Sequence, residues 1–291
     1  MLWLLDPLMA VSRYNANLWL QRGYYIRPVH FYEPMPDVRM LEKHYPAPSS
    51  MSGVEMRVEA QLAMLREVFP LYREALAALP AQPNPVDKSA FYLNQSYFCG
   101  IDPLVYYGII RHFKPARIVE VGAGFSTMLA ALALRQNETG RLTSIEPYPN
   151  EVIAAGIPGV EHVQAKGEDV DVTVFTSLAA NDILFIDSSH VVRIGGDVVF
   201  LMLEILPRLQ PGVLIHIHDI FLPYDYPKGF VLERYRFWTE QYLVQAFLVD
   251  NDKIEVVFAA NLMCVDHQEA VKAAFPMALD WTGGSLWLRK R

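Results

Sequence analysis

Residues 117–134 read RIVEVGAGFSTMLAALAL. An apolar run carries a carboxylate, Glu120, near its end, and two glycines follow at Gly122 and Gly124. An Ala/Leu-rich helical pattern then begins near Ser126. A strand that turns into a helix over glycines brings backbone N–H groups close to whatever lies above the turn. The strict dinucleotide spacing G-x-G-x-x-G would need a third glycine at position 127, where Thr127 stands. Taken alone, the stretch leaves three readings open: a nicotinamide dinucleotide, a nucleoside with a cationic sulfur, or a bare tight turn. Ser126 and Thr127 suit helix N-caps and could also hydrogen-bond a ligand carboxylate.

The surrounding chain alternates strands and helices from Ile101 onward. Asp102-Pro103 starts a helix running to about His112, with Pro at its first position. The expected strands are Arg117–Val121, Leu142–Ile145, Val160–Gln164, Asp182–Ile186 and Val213–Ile217. Helices are expected over 197–209 and 232–248. Late strands at Ile254–Ala259 and Ser285–Arg289, joined by an Ala-rich loop, fit an antiparallel hairpin at one edge. Strands separated by helices imply an α/β fold, a parallel sheet covered on both faces. Before it, Val58, Leu62, Leu65, Phe69, Tyr72, Leu76 and Leu79 form one apolar helix face, which Pro70 should kink or split. The proline-rich connector Leu79–Lys88 divides an N-terminal extension or cap, residues 1–88, from the main domain, residues 89–291.

In an open α/β sheet, ligands bind beyond the carboxyl ends of the strands. Every such end here is polar. Glu120 and Gly122 lie at the first, Glu146 at the second, and Glu168 and Asp169 at the third. Asp187 and His190 follow the fourth, and His218 and Asp219 the fifth. Glu146 suits the two hydroxyls of a ribose, whichever nucleoside carries it. Glu168 and Asp169 could accept from an adenine amino group or be a plain surface pair. Adjacent parallel strands would gather Asp187, His190, His218 and Asp219, a cluster able to hold a divalent cation or act as a general base. Alternation puts His216 and His218 on one face. His216, deeper in the strand, reads as a core histidine with its hydrogen bonds satisfied.

Composition narrows the rest. The chain has 291 residues, 52% hydrophobic and 20% charged, with net charge -7 and no long basic run. That size buries a substantial core, and the acidic balance argues against nucleic acid as a partner. Two distant cysteines, Cys99 and Cys264, form no C-x-x-C pair, so a reducing, cytoplasmic setting is expected. The apolar start, MLWLLDPLMA, is too short to span a bilayer and reads as a packed or interface helix. A homodimer would suit it. The aromatics Tyr24, Tyr25, His30, Phe31 and Tyr32, with the loop Phe221–Phe230, could close as a lid over an acceptor or simply pack.

Read together, RIVEVGAGFST, SIEPYP, ILFIDSSH and LPRLQPGVLIHIHDIFLPYDYP resemble successive motifs of class I S-adenosylmethionine-dependent methyltransferases. The likeness is to the small-molecule branch with FIDSSH and HDIF signatures. It covers about Asn94 to the end, with PVHFYEPMPD and GGSLWLRKR as outlying parts. The resemblance implies a Rossmann-like seven-stranded sheet in the order 3-2-1-4-5-7-6, strand seven antiparallel. It implies that Glu120, Gly122 and Gly124 hold the methionine portion of S-adenosylmethionine, that Glu146 binds the ribose, and that Asp187 faces the transferred methyl. Ser126 replaces the third motif glycine, so a wider turn is expected. Related metal-assisted O-methyltransferases use an Asp-Asp or Asp-Asn pair where His218-Asp219 stands here. With Mg²⁺ preferring oxygen ligands, the change favours His218 as a base or a transition metal; the metal candidates are Asp187, His218 and Asp219. The expected reaction is methyl transfer to an oxygen, less favourably a nitrogen, of a small-molecule acceptor. The competitors are an NAD(P)-dependent oxidoreductase on the same topology and a non-catalytic adenosyl-binding module.

Overall fold

The computed structural model describes residues 16–291. The apolar start read as a packed helix, MLWLLDPLMA, lies outside them. The chain divides into two compact units. The smaller comprises the described residues up to Pro46 together with Pro227–Phe237, and the larger comprises Ala47–Tyr226 and Trp238–Arg291. The smaller carries helices α1 (Ala16–Gln21) and α2 (Val38–Lys43). Asp37 caps α2 by accepting from the Arg39 N–H at 3.1 Å, and most of its aromatics, including Tyr25, Phe31 and Tyr32, are exposed. The Phe221–Phe230 loop is shared out: residues up to Tyr226 belong to the larger unit and the rest to the smaller. Among the described residues no helix is long and apolar enough to cross a membrane.

The larger unit opens with an amphipathic helical segment, α3 (Val58–Ala63) through α4 (Arg73–Ala77). Pro70 lacks an N–H and crowds the preceding turn, so regular α-helix cannot run through it. The chain answers with a π turn at Met64–Val68 and a 3-10 turn at Phe69–Tyr72. The apolar face survives the change: Leu65, Phe69 and Leu76 are buried. The Leu79–Lys88 connector lies within this unit.

The rest is one seven-stranded sheet. In chain order its elements are α5 (Asp102–Phe113), β1 (Arg117–Val121), α6 (Phe125–Asn137), β2 (Arg141–Ile145), α7 (Glu151–Ala155) and β3 (Val160–Val163). Then follow α8 (Val172–Thr176), β4 (Ile183–Ile186), α9 (Asp197–Phe200), β5 (Leu214–Ile217) and α10 (Glu240–Leu248). The last elements are β6 (Ile254–Ala259), α11 (Ala260–Asp266), α12 (Gln268–Ala274) and β7 (Leu286–Lys290). The strand order is β3-β2-β1-β4-β5-β7-β6. All pairs are parallel except β5·β7 and β6·β7. This is the Rossmann-like architecture that the motifs implied. Strands β4 and β5 are buried along their whole length, as expected of parallel strands covered on both faces.

Two expectations need correction. The helix expected over 232–248 is broken: a π turn ends at Glu233, and α10 begins only at Glu240. The late strands do pair antiparallel at the sheet edge, but α11 and α12 join them, not a loop, and β7 inserts between β5 and β6.

The register creates a cross-sheet row. Ser144, Glu120, Phe185, His216 and Trp287 are successive partners across β2, β1, β4, β5 and β7. One pleat therefore places Glu120 and His216 on the face where Tyr106 of α5 stacks on Phe185 at 4.6 Å. His216 stacks on Phe185 at 3.9 Å and lies 4.8 Å from Trp287. Neither of its ring nitrogens has a partner. It is a core histidine as expected, but not a satisfied one. Burial, with His218 beside it, drives its pKa well below the usual range, so it is a neutral packing group.

Candidate active site

The β1–α6 turn is built by two glycines with different tasks. Gly122 has φ 91°, and a Cβ there would lie 1.8 Å from the Asp187 carbonyl oxygen. Only glycine allows this approach. It lets the Asp187 N–H donate to Val121 O at 2.9 Å, binding the ends of β1 and β4 together. Gly124 has extended backbone, and a Cβ there would meet nothing within 4 Å. Its N–H donates to Thr127 Oγ1 at 2.9 Å, so Thr127 caps the helix and does not face outward.

Above this turn lies a cavity of about 380 Å³ lined by Gly122, Gly124, Ser126, Glu146, Asp187 and the aromatics Tyr97 and Phe98, among others. Glu146, at the end of β2, accepts from Tyr148 N–H at 2.7 Å and Ala123 N–H at 3.4 Å. Those bonds hold its carboxylate beside the glycine turn. Tyr97 stacks on Phe125 at 6.2 Å and leaves one wall aromatic.

Glu120 does not line this cavity. It is fully buried beneath it, where Oε1 accepts from Ser126 Oγ at 2.5 Å and Oε2 has no partner. Burial pushes its pKa up to about 8, against the opposing pull of the Ser126 hydroxyl. It is a protonated acid at neutral pH. Glu168 and Asp169 sit on a 3-10 turn after β3 and do not line the cavity.

The β4 and β5 ends carry a denser group. His190 Nδ1 lies 3.0 Å from Glu240 Oε2, and Nε2 lies 3.3 Å from Asp187 Oδ1 and 3.6 Å from Asp219 Oδ2. Its burial opposes charge, but interactions of the ring with the Asp187 and Glu240 carboxylates win and raise the pKa to about 10. Asp187 shows the complement: burial would raise it, yet His218 and His190 hold it down at about 2. His218 is buried, with Nδ1 unpartnered, and packs edge-on to Phe98 at 5.3 Å. Burial lowers its proton affinity, but Asp187, Asp219 and Asp102 together raise it.

His190 and Asp219 both sit at positive φ, 58° and 54°. Such conformations cost about 1–3 kcal/mol and persist only where the surroundings hold them. Here the His190 carbonyl accepts from Thr239 and Glu240 N–H at 2.9 and 3.1 Å, tying the loop to the start of α10.

The structure therefore gathers the expected residues into two sets. Gly122, Gly124, Ser126, Glu146 and Asp187 share the cavity. His190, Asp219 and Asp187 share the ion cluster, with His218 buried beside it. Asp187 belongs to both. Three participants escaped sequence reading. Asp102, read only as a helix start, is buried and accepts from Gly284 N–H at 2.8 Å and Ser285 Oγ at 2.6 Å. Glu240 was hidden inside an apparently continuous helix. Phe98 had no pattern to mark it.

The cavity fits an adenosyl cofactor on its own features: open space over Gly124, a ring of polar ends, and a buried acid oxygen left unpaired below. The ion cluster fits a metal poorly. Among the described residues no group of three or more His, Cys, Asp or Glu side chains is arranged to hold one. The gap between Asp187 and Asp219 is filled by an imidazole.

A family model for a methyltransferase domain matches residues 119–220. An uncharacterized protein of Archaeoglobus fulgidus is 30% identical over 170 residues, covering 55% of this chain and 76% of that protein. Among solved structures, the chain is similar to an S-adenosylhomocysteine-bound methyltransferase of Podospora anserina, with TM-score 0.42 and 18% identity over 81% of this chain and 94% of that one. It is also similar to the O-methyltransferase TomG of Streptomyces achromogenes, in complex with S-adenosylmethionine, with TM-score 0.42 and 15% identity over 87% and 95%.

Proposed function

Because the chain belongs to the methyltransferase-domain family, we propose that it moves the methyl group of S-adenosylmethionine to an oxygen, in preference to a nitrogen, of a small-molecule acceptor. The observation that carries this reading is the cavity over Gly122 and Gly124, lined by Ser126 from the start of α6 and by Glu146 and Asp187 beyond the ends of β2 and β4. The small-molecule branch is supported by the ILFIDSSH and HDIF stretches. Two unpaired cysteines, Cys99 and Cys264, support a reducing cytoplasmic setting.

When bound, S-adenosylmethionine supplies an electrophilic methyl carbon on a cationic sulfur, so the protein's task is alignment and proton removal. Glu146 accepts hydrogen bonds from ribose hydroxyls. Gly124 leaves the floor clear, and Ser126 reaches the methionine end, with Glu120 and Thr127 shaping the turn from below. Asp187, ionised and on the cavity wall, orients the acceptor hydroxyl. His218, behind it and raised in proton affinity by its acidic neighbours, takes the proton as the acceptor oxygen bonds to carbon. His190, 3.3 Å from Asp187 and 3.6 Å from Asp219, holds Asp187 in place.

Calorimetry with S-adenosylhomocysteine tests the reading. Binding is expected, weakened about 10-fold or more by Glu146→Ala, the loss of a charge-assisted hydrogen bond. With an acceptor found by screening hydroxylated compounds, His218→Ala should cut turnover by about 10²–10⁴ while sparing that binding. Titration by NADH in place of S-adenosylhomocysteine, or unchanged turnover in His218→Ala, overturns it.

A further inference from the structure

The cavity over the glycine turn is anionic and aromatic. Glu146 and Asp187 bring two carboxylates to its wall, and Tyr97, Phe98 and Phe125 bring three rings. Among the described residues no lysine, arginine or histidine lines it. Carboxylates attract a cation, and the negative face of an aromatic ring does the same. The rings are fixed in place. Gln95 Oε1 accepts from the Tyr97 and Phe98 N–H groups at 2.7 and 2.9 Å, and its Nε2 donates to the Phe98 carbonyl. One side-chain amide thus pins both residues at the wall. Phe98 is 2% exposed and packs edge-on to Tyr106, Phe185 and His218 at 5.3–6.0 Å. Tyr97 stacks on Phe125 and is 80% exposed.

We propose that Tyr97 and Phe98 are charge-selecting residues: with Asp187 and Glu146 they hold the sulfonium of S-adenosylmethionine in preference to the neutral thioether of S-adenosylhomocysteine. The inference rests on the methyl-transfer reading and adds to it a means of releasing product. Transfer puts the methyl carbon on the acceptor oxygen, returns the carbon–sulfur electron pair to sulfur and sends the acceptor proton to His218. The positive charge that the wall attracts is then gone. Holding a charge that transfer removes does not speed the chemical step; the gain lies in capturing substrate and shedding product. The carboxylate, ammonium, ribose and adenine are common to both nucleosides, so the ratio of their affinities isolates the sulfur.

Calorimetry on the full chain, with S-adenosylmethionine and S-adenosylhomocysteine as separate ligands, tests this. Wild type should bind S-adenosylmethionine about 10-fold more tightly or better. Phe98→Leu keeps an apolar side chain and removes the ring. It should narrow the ratio by about 3–30-fold, the worth of a desolvated cation–π contact, by weakening S-adenosylmethionine alone. Tyr97→Leu, at an exposed position, should narrow it by about 2–5-fold, and Tyr97→Phe should keep the wild-type ratio. Should Phe98→Leu fail to fold, the two Tyr97 variants decide. A merely structural role would weaken both nucleosides equally. That result, or a wild type that binds the neutral nucleoside as tightly as the cation, overturns the proposal. If neither nucleoside binds, the methyl-transfer reading falls and this inference with it; if both bind with a flat ratio, only this inference falls.

Discussion

The two ends of the sheet's rim solve opposite problems. Over β1 and β2, side chains are withheld: Gly122 and Gly124 make room, and Glu146 is held at the margin by backbone N–H groups. Over β4 and β5, side chains are crowded: three acids surround His190 at 3.0 to 3.6 Å, with His218 buried alongside. The first region is shaped to receive a molecule and the second to hold charge. Asp187 is where they meet. The contrast shows that a polar strand end can serve by leaving a space or by filling one, and that residue type alone does not say which.

The largest test of the division is Gly122→Ala. The added Cβ would sit 1.8 Å from backbone oxygen that cannot retreat without parting β1 from β4, and φ at this position is 91°. The expected loss is about 3 kcal/mol or more, a fall in melting temperature of roughly 6–12 °C for a unit of this size. Thermal unfolding followed by circular dichroism reads it. A melting temperature within about 2 °C of wild type would mean that the two ends are not locked together through this contact.

Much of the sheet was legible because parallel strands covered on both faces appear as short apolar runs. Arg117–Val121 and Ile254–Ala259 keep the bounds read from sequence, and the other strands shift by a residue or so. The glycine turn was legible for a similar local reason. The ion cluster was legible only in part. Asp187, His190 and Asp219 stand at strand ends, but Glu240 reaches them from a helix whose start was masked by apolar residues at Val231, Leu232, Phe237 and Trp238. Nor could sequence separate Glu120 from Glu146. Both follow apolar runs, yet one is sealed under the turn and the other opens on the cavity, a distinction made by one step of strand register and by Ser126.

Acid–base titration of stability distinguishes the regions next. Glu120, raised to about 8 from an ordinary 4.5, keeps its proton in the fold after the unfolded chain has released it. Its contribution is full below pH 4.5 and declines as pH rises toward about 8. His190, raised to about 10 from 6.5, contributes fully below pH 6.5 and loses that contribution as pH rises through about 10. Urea unfolding should therefore show a decline between pH 5 and 6.5 that Glu120→Gln makes shallower, by at most about 1.4 kcal/mol per pH unit for one proton, the raised Asp102 and Glu240 supplying the rest. The decline between pH 8 and 10 should survive Glu120→Gln and become shallower in His190→Asn, the Cys99 and Cys264 thiols, also raised by burial, supplying the remainder. If Glu120→Gln flattens the alkaline limb instead, the two groups are coupled and the rim is one electrostatic unit.

The smallest effect on the fold is expected at the neighbouring glycine. Gly124 has extended backbone that any residue adopts, and its Cβ would enter open space at the edge of the cavity. Gly124→Ala should leave the melting temperature within about 1 °C, or raise it slightly, because alanine loses less entropy on folding. The methyl would instead occupy volume meant for the ligand, so the affinity for S-adenosylhomocysteine should fall several-fold in calorimetry. Gly122→Ala and Gly124→Ala then separate two uses of the same residue within one turn, close approach of backbone to backbone and close approach of backbone to ligand. A Gly124→Ala protein that is destabilised as strongly as Gly122→Ala, or that binds like wild type, would show that the space above the turn is not where the nucleoside lies.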